Sequence, residues 1–260
     1  MSDPAPARTP RHRGIYLLPN LFTTGAMAAG FFAIVASIDG RFAEAAIAVF
    51  VAAVLDGMDG RVARLTGTQS EFGVQYDSLS DLVSFGLAPS LVMYTWSLSA
   101  LREFGPLWGK LGWAAAFIYA ACAALRLARF NIQVGVIDKR YFQGLASPAA
   151  AAVLMSFVWS AEKFGIAGAE VCFATPLLTI LVGLLMVSRF RYFSFKSLPV
   201  GEGQRVPFVW IVVAVLLLAL LVLDTPRVLF AGFSVYLLSG PIGTAWGLAA
   251  RRRRARHGGA

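Results

Sequence analysis

Histidine and cysteine are nearly missing from this chain. Both histidines, His12 and His257, sit in basic terminal segments. Both cysteines, Cys122 and Cys172, lie inside apolar runs, with no CxxC and no histidine nearby. Such thiols read as small core residues, and nothing here supplies the soft ligands of a zinc site. Charge is also scarce. Only 14% of the 260 residues are charged and 58% are hydrophobic, where a soluble domain carries about a quarter charged. The N-terminal stretch Met1–Arg13 is rich in proline and arginine and has no apolar core, so no cleaved signal peptide is expected. No internal repeat is present, and the Arg251–Arg254 run is the one low-complexity stretch.

What the chain does have is long apolar runs separated by short basic segments, the pattern of a polytopic membrane protein. A net charge of +9 suggests nucleic acid at first. Here the basic residues flank apolar runs, so anionic lipid headgroups are the expected partner and no nucleic acid is. Eight spans are expected, at Leu21–Ile38, Ala43–Asp59 (continuing as helix to Arg64), Leu79–Leu98, Leu111–Leu127, Pro148–Trp159, Val171–Val187, Phe208–Leu223 and Val228–Leu248. The fifth is the weakest. With the N-terminus in the cytoplasm, eighteen of the 23 lysines and arginines fall in inside segments and five outside. Lys139, Arg140, Arg189, Arg191, Lys196 and Arg205 count among the inside ones, and Arg41, Arg102, Lys110, Lys163 and Arg227 are the outside ones. The fold class is therefore all-α, a transmembrane helix bundle with both ends in the cytoplasm, in the inner membrane.

The stretch Asp56–Asp81 reads DGMDGRVARLTGTQSEFGVQYDSLSD. It puts four aspartates at the cytoplasmic ends of two apolar helices. A carboxylate at mid-span costs roughly 2.5–3.5 kcal/mol on insertion scales, so a cation is expected to compensate. Asp56 and Asp59 are spaced i, i+3, and Asp77 and Asp81 i, i+4, so each pair shares a helix face. Two antiparallel helices joined by a short loop aim all four at one point. Two divalent ions would cancel the repulsion, and all-oxygen ligation points to Mg²⁺ or Mn²⁺. Gly60, Ala63 and Arg64 continue the first stripe, where an ordinary span would carry leucine or valine. Small residues let a ligand lie against the backbone, and Arg64 can grip a phosphate. Gly73 plays the same part on the second stripe. A buried polar contact explains a lone intramembrane aspartate about as well as a metal does. Packing alone does not produce four with glycine, alanine and arginine at these offsets.

The pattern D-x2-D-G-x2-A-R-x8-G-x3-D-x3-D resembles the signature of the CDP-alcohol phosphotransferases, without a departure, at Asp56, Asp59, Gly60, Ala63, Arg64, Gly73, Asp77 and Asp81. The resemblance implies a six-helix membrane core, usually a homodimer, with a polar cavity facing the cytoplasm. It implies that Asp56, Asp59 and Asp77 bind two metal ions. Asp81 would complete the second site and act as base. Gly60, Ala63 and Arg64 would contact the CDP part, and Asn20 and Thr23 in LPNLFT look like the polar pair near the nucleotide. The surrounding text resembles the bacterial membrane-embedded phosphatidylserine synthases, in LPNLFTTGAMAAGFFAI, RLTGTQSEFGVQYDSLSDLVSFGLAP, LRLARFN and YFQGLASPAAA.

That likeness implies CDP-diacylglycerol and L-serine as substrates, with the serine oxygen attacking the β-phosphorus and CMP leaving. Arg126, Arg129 and Asn131 are candidates for serine. A pair of arginines at i, i+3 can clamp a carboxylate, and equally can mark the cytoplasmic end of a span. The domain reading is a basic segment 1–16, a catalytic membrane domain 17–200, two further spans in 201–250 and a basic tail 251–260. Glycerol 3-phosphate, an inositol phosphate and choline stay open as acceptors, and so does direct transfer against a covalent intermediate. A divalent-cation transporter is the reading from another class. It fits less well, because the carboxylates cluster at one side beside an arginine.

Overall fold

The computed structural model describes residues 17–67, 70–133, 141–193 and 218–257. The described residues form a helical bundle with eight named helices: α1 Leu17–Ile38, α2 Phe42–Thr66, α3 Glu71–Asp81, α4 Ala88–Trp96, α5 Pro106–Gln133, α6 Ser147–Lys163, α7 Thr175–Val187 and α8 Thr225–His257. Residues 218–223 are also helical and run into α8 through Asp224. The expected helical continuation to Arg64 holds, and α2 ends two residues later. Of the expected seventh span only 218–223 is described; residues 208–217 lie outside the described set, as do Lys139, Arg140, Lys196 and Arg205.

Among the described residues three helices are long and apolar enough to cross a membrane: Pro19–Ile38, Glu71–Phe104 and Pro106–Ile132. Helix α2 has the length, at 25 residues, but carries Glu44, Asp56, Asp59, Arg61 and Arg64. Helices α6 and α7 are 17 and 13 residues long. The weak fifth span has a physical reason for its weakness. Helix α6 is the buried one, with Ala150–Ser156 all buried and α2, α4, α7 and α8 packed around it. A helix shielded by protein needs small residues that fit, not a lipid-facing apolar surface.

Small residues also join α1 to α2, the most extensively packed pair. Ala26, Ala33 and Ala36 of α1 and Ala45, Ala46 and Ala52 of α2 are all buried. At Gly30 a Cβ would come within 2.7 Å of the Ser84 Cα, so α1 lies directly on the next layer. Two serines stitch that contact. Ser80 Oγ donates to the Thr23 carbonyl and Ser84 Oγ to the Ala26 carbonyl, each at 3.0 Å. Between α3 and α4 the helix widens into a π-helical stretch, Leu82–Leu87. Such stretches recur at functional sites, and this one starts at the residue after Asp81. Tyr119 Oη of α5 donates to the Phe85 carbonyl within it, at 3.0 Å.

One short departure from an all-helical chain is a two-stranded antiparallel ribbon, β1 Tyr141–Gln143 with β2 Arg191–Phe193, in which Phe142 faces Tyr192. It joins the chain just before α6 to the chain just after α7. At the far end of α6, Lys163 Nζ donates to Asp224 Oδ1 at 3.0 Å and Arg227 pairs with Asp224 Oδ2 at 3.3 Å. The Lys163 hydrogen bond holds the Asp224 carboxyl below the usual carboxylate range.

Candidate active site

The reversal between α2 and α3 builds the acidic site. Gly67 closes α2 in the left-handed conformation, φ +61°, and its N–H returns to the Ala63 and Arg64 carbonyls. Glycine reaches that conformation at no steric cost. Ser70 then caps α3, its Oγ accepting from the Gly73 N–H at 3.0 Å. Helix α3 packs back on α1, and across the reversal carboxylate oxygens of Asp56, Asp59 and Asp77 come within 4.8 Å of one another. Asp59 is buried, and Thr23 Oγ1 of α1 donates to its Oδ2 at 2.6 Å. The same hydroxyl lies 3.2 Å from the Pro19 carbonyl. It has one proton, and the shorter, charge-assisted bond to the carboxylate takes it.

Asp81 adjoins that trio. It closes α3 one turn beyond Asp77 and neighbours Asp56, Asp77 and Arg126. Asp77 Oδ1 is buried and has no hydrogen-bond partner among the described residues. An orphaned buried oxygen is costly, and three converging carboxylates in a membrane-embedded site repel. Both features fit a hard divalent cation such as Mg²⁺ or Mn²⁺, which Asp56, Asp59 and Asp77 would hold through oxygen.

Beside the trio lies a cleft of ≈ 270 Å³. Its walls include every residue singled out for the nucleotide, Asn20, Thr23, Gly60, Ala63, Arg64 and Gly73, together with Asp59 and Asp77. In front of Gly60 a Cβ would meet nothing within 4 Å, so the surface there is open to a ligand. Pro19, Ser70 and Val74 complete the lining and were missed. Ser70 had a legible signal, a serine immediately before a helix.

The three candidates for serine do not converge. Arg126 lies within electrostatic range of Asp81, and its Nη1 donates to Ser147 Oγ at 2.8 Å, while its Nε is buried without a partner. Arg129 goes elsewhere, donating from Nη2 to Gln143 Oε1 at 2.5 Å and from Nη1 to the Val187 carbonyl at 3.4 Å. Asn131 Nδ2 donates to Ser78 Oγ at 3.0 Å, and that hydroxyl in turn reaches the Val74 carbonyl. Asn131 and Ser78 line a separate, mainly apolar groove of ≈ 240 Å³ between α3 and α5, with Leu79, Leu82 and Leu127. Ser147, the partner of Arg126, was also missed.

Residues 16–180 match the family described as CDP-alcohol phosphatidyltransferase. The chain belongs to the CDP-alcohol phosphatidyltransferase family. It is similar to a CDP-diacylglycerol–serine O-phosphatidyltransferase of Helicobacter pylori, 38% identical over 185 residues, which are 70% of this chain and 74% of that protein. It is similar to a protein of the same name from Methanocaldococcus jannaschii, 36% identical over 149 residues, 57% of this chain and 63% of that one. It also resembles an archaetidylserine synthase of Methanothermobacter thermautotrophicus, 34% identical over 177 residues, 67% of this chain and 69% of that one. As a CDP-alcohol phosphatidyltransferase the chain keeps the whole acidic site and cleft inside the matched region. That region ends within α7, so β2 and α8 lie beyond it.

Proposed function

We propose that this membrane enzyme transfers the phosphatidyl group of CDP-diacylglycerol to the hydroxyl of L-serine, giving phosphatidylserine and CMP. The observation that carries the reading is the cleft. Six residues expected at the nucleotide, four of them in the motif, line one cavity together with Asp59 and Asp77. The names of the relatives support serine as the acceptor.

Arg64, with Gly60 and Ala63, grips the CDP part, and Asn20 and Thr23 flank it. Thr23 also fixes Asp59, so one hydroxyl couples the nucleotide cleft to the acidic trio. Asp56, Asp59 and Asp77 would hold two Mg²⁺ or Mn²⁺ ions, with Asp81 completing the second position, and the ions would supply charge neutralisation for the pyrophosphate and the departing CMP. Asp81 takes the proton of the serine hydroxyl. The serine oxygen then bonds to the β-phosphorus, and the bond from that phosphorus to the bridging oxygen breaks. Arg126, beside Asp81 and with an unpartnered Nε, receives the serine carboxylate. Its neighbour Arg129 is already committed to Gln143 and Val187 and has a tethering role.

The acidic site faces the cytoplasm in this reading, in an inner membrane, and the enzyme works as a homodimer. The Lys163–Asp224–Arg227 cluster supports placing its segments together at one end of the bundle. All three lie in segments assigned to the opposite side, and Lys163 is about 24 Å along α6 from Ser147 at 1.5 Å per residue.

The test is CMP release by the purified protein from CDP-diacylglycerol with L-serine, glycerol 3-phosphate, an inositol phosphate or choline, each with Mg²⁺ or Mn²⁺. Turnover is expected with serine and abolished by chelator. A preference for another acceptor reassigns the substrate, and full turnover in excess EDTA removes the metals from the reading.

A further inference from the structure

Helix α8 lies beyond the region that matches the family, yet it packs against β2 and against α6, which carries the Arg126 partner Ser147. The link runs through two tyrosines. Tyr236 of α8 sets its ring against that of Tyr192, with centroids 5.5 Å apart and planes at 45°, and lies within electrostatic range of Arg126. Tyr192 is fully buried in β2, and its Oη donates to the Leu237 carbonyl at 3.1 Å. One turn on, Gly240 lets the helix touch that ring. A Cβ there would lie 2.4 Å from the Tyr192 Cζ. Residues 236, 237 and 240 therefore enclose Tyr192 from α8.

Tyr192 in turn pairs with β1, which carries Gln143, the acceptor for Arg129. Four residues further on, Ser147 accepts from Arg126. Both arginines are thus held by the segment that α8 braces, and Tyr236 lies within electrostatic range of Arg126. An arginine has five donors and a long flexible stem. Arg126 has a described hydrogen bond at Nη1 and none at Nε. Walls must fix the direction of the rest.

We propose that Tyr236, backed by Tyr192, is a positioning residue that sets the guanidinium of Arg126 for the acceptor carboxylate, so that α8 is an acceptor-specificity element of the enzyme. The proposal rests on Arg126 as the carboxylate-binding residue. An acceptor without a carboxylate would have no use for this brace, which ties it to the choice of alcohol and not to the nucleotide.

The experiment uses the full chain with Arg126→Ala, Tyr236→Ala, Tyr236→Phe and the double Ala variant, and measures kcat with KM for L-serine and for CDP-diacylglycerol. Tyr236→Ala is expected to raise the serine KM about tenfold, the scale of coupling within one network. Its kcat and its KM for CDP-diacylglycerol stay within about twofold. The double variant should be no worse for serine than Arg126→Ala alone. Tyr236→Phe keeps the ring on Tyr192 and guards against simple misfolding. A wild-type serine KM in that variant, with kcat and both KM values damaged alike in Tyr236→Ala, makes Tyr236 a packing residue and overturns the inference. So do additive penalties in the double variant, or a serine KM that Arg126→Ala raises and Tyr236→Ala does not. If Arg126→Ala itself leaves the serine KM unchanged, the carboxylate assignment fails first, and this inference goes with it.

Discussion

Thr23 and Asp59, 36 residues apart on α1 and α2, share a buried 2.6 Å hydrogen bond. The threonine hydroxyl favours the charged carboxylate over the neutral acid, because a bond donated to an ionised oxygen is the stronger one. It also fixes one oxygen of Asp59 and leaves the other for a ligand. Thr23→Val keeps the shape and removes the donor. The lost bond to a buried charged group is worth about 1.5–3 kcal/mol. The Mg²⁺ concentration for half-maximal CMP release should therefore rise by roughly tenfold or more, and Thr23→Ser should restore most of it. An unchanged Mg²⁺ dependence in the valine variant would detach Thr23 from the metal site.

Asp81 and the trio are predicted to separate functionally. Asp81→Asn should abolish transfer and leave binding of the lipid nucleotide nearly intact. Asp56→Asn should weaken both, since Asp56 sits among the clustered carboxylates. Binding is read by retention of CDP-diacylglycerol in the presence of Mn²⁺. An Asp81→Asn protein that keeps more than a few per cent of the rate is not missing its base.

Orientation has a clean labelling test, because both native cysteines are buried. Leu65, near the end of α2, is 88% exposed. Leu65→Cys should react with an impermeant maleimide from the cytoplasmic side only. Glu103→Cys, in the 3₁₀ turn between α4 and α5, should react from the other side only. The reverse pattern inverts the topology and moves the active site with it.

The acidic site was legible in the sequence for a definite reason. Everything it needs lies on two consecutive helices, and local spacing decides which face each residue takes. The cleft was legible for the same reason, with Asn20 and Thr23 added through a recognisable segment. What spacing cannot give is where long side chains end. Arg126 and Arg129 share a face of α5, yet three residues of rise are about 4.5 Å. Their guanidinium groups reach different partners, Ser147 and Gln143, both supplied from distant chain. Asp77 and Asp81 likewise share a face, but α3 ends at Asp81 and a π-helical stretch follows, which no periodicity announces. Helix α6 was the weakest reading because hydropathy measures lipid contact, and α6 is surrounded by protein.

Gly144 holds the segment between β1 and α6 in the only way it can. Its φ is +81°, and a Cβ there would come within 2.3 Å of the Met186 carbonyl oxygen. Its N–H donates to the Phe190 carbonyl at 2.9 Å. Gly144→Ala should destabilise the protein by more than about 1 kcal/mol, seen as a lower Tm in detergent. A Tm equal to that of the native protein would show that this segment gives way easily.

Arg129→Ala and Arg126→Ala should fail in different ways. Arg129 spends its donors on Gln143 Oε1 and the Val187 carbonyl, so it ties the ribbon to the end of α7. Removing it loosens that junction and lowers Tm, while the serine KM moves by less than about threefold. Arg126 sits beside Asp81 with a buried, unpartnered Nε. It is the cation placed where an acceptor hydroxyl must approach its base. Arg64 lines the nucleotide cleft and is committed to phosphate in the proposed reaction. A charge-assisted hydrogen bond is worth about 1.5–3 kcal/mol, so Arg126→Ala should raise the serine KM by on the order of ten- to a hundred-fold, with a smaller change for CDP-diacylglycerol. Arg126→Lys keeps the charge and loses the fork, and should rescue only part of the loss. Full rescue by lysine would mean that charge alone is recognised. Equal rises in serine KM for Arg126→Ala and Arg129→Ala would mean that the two act together after all, through the Gln143–Ser147 segment that holds both.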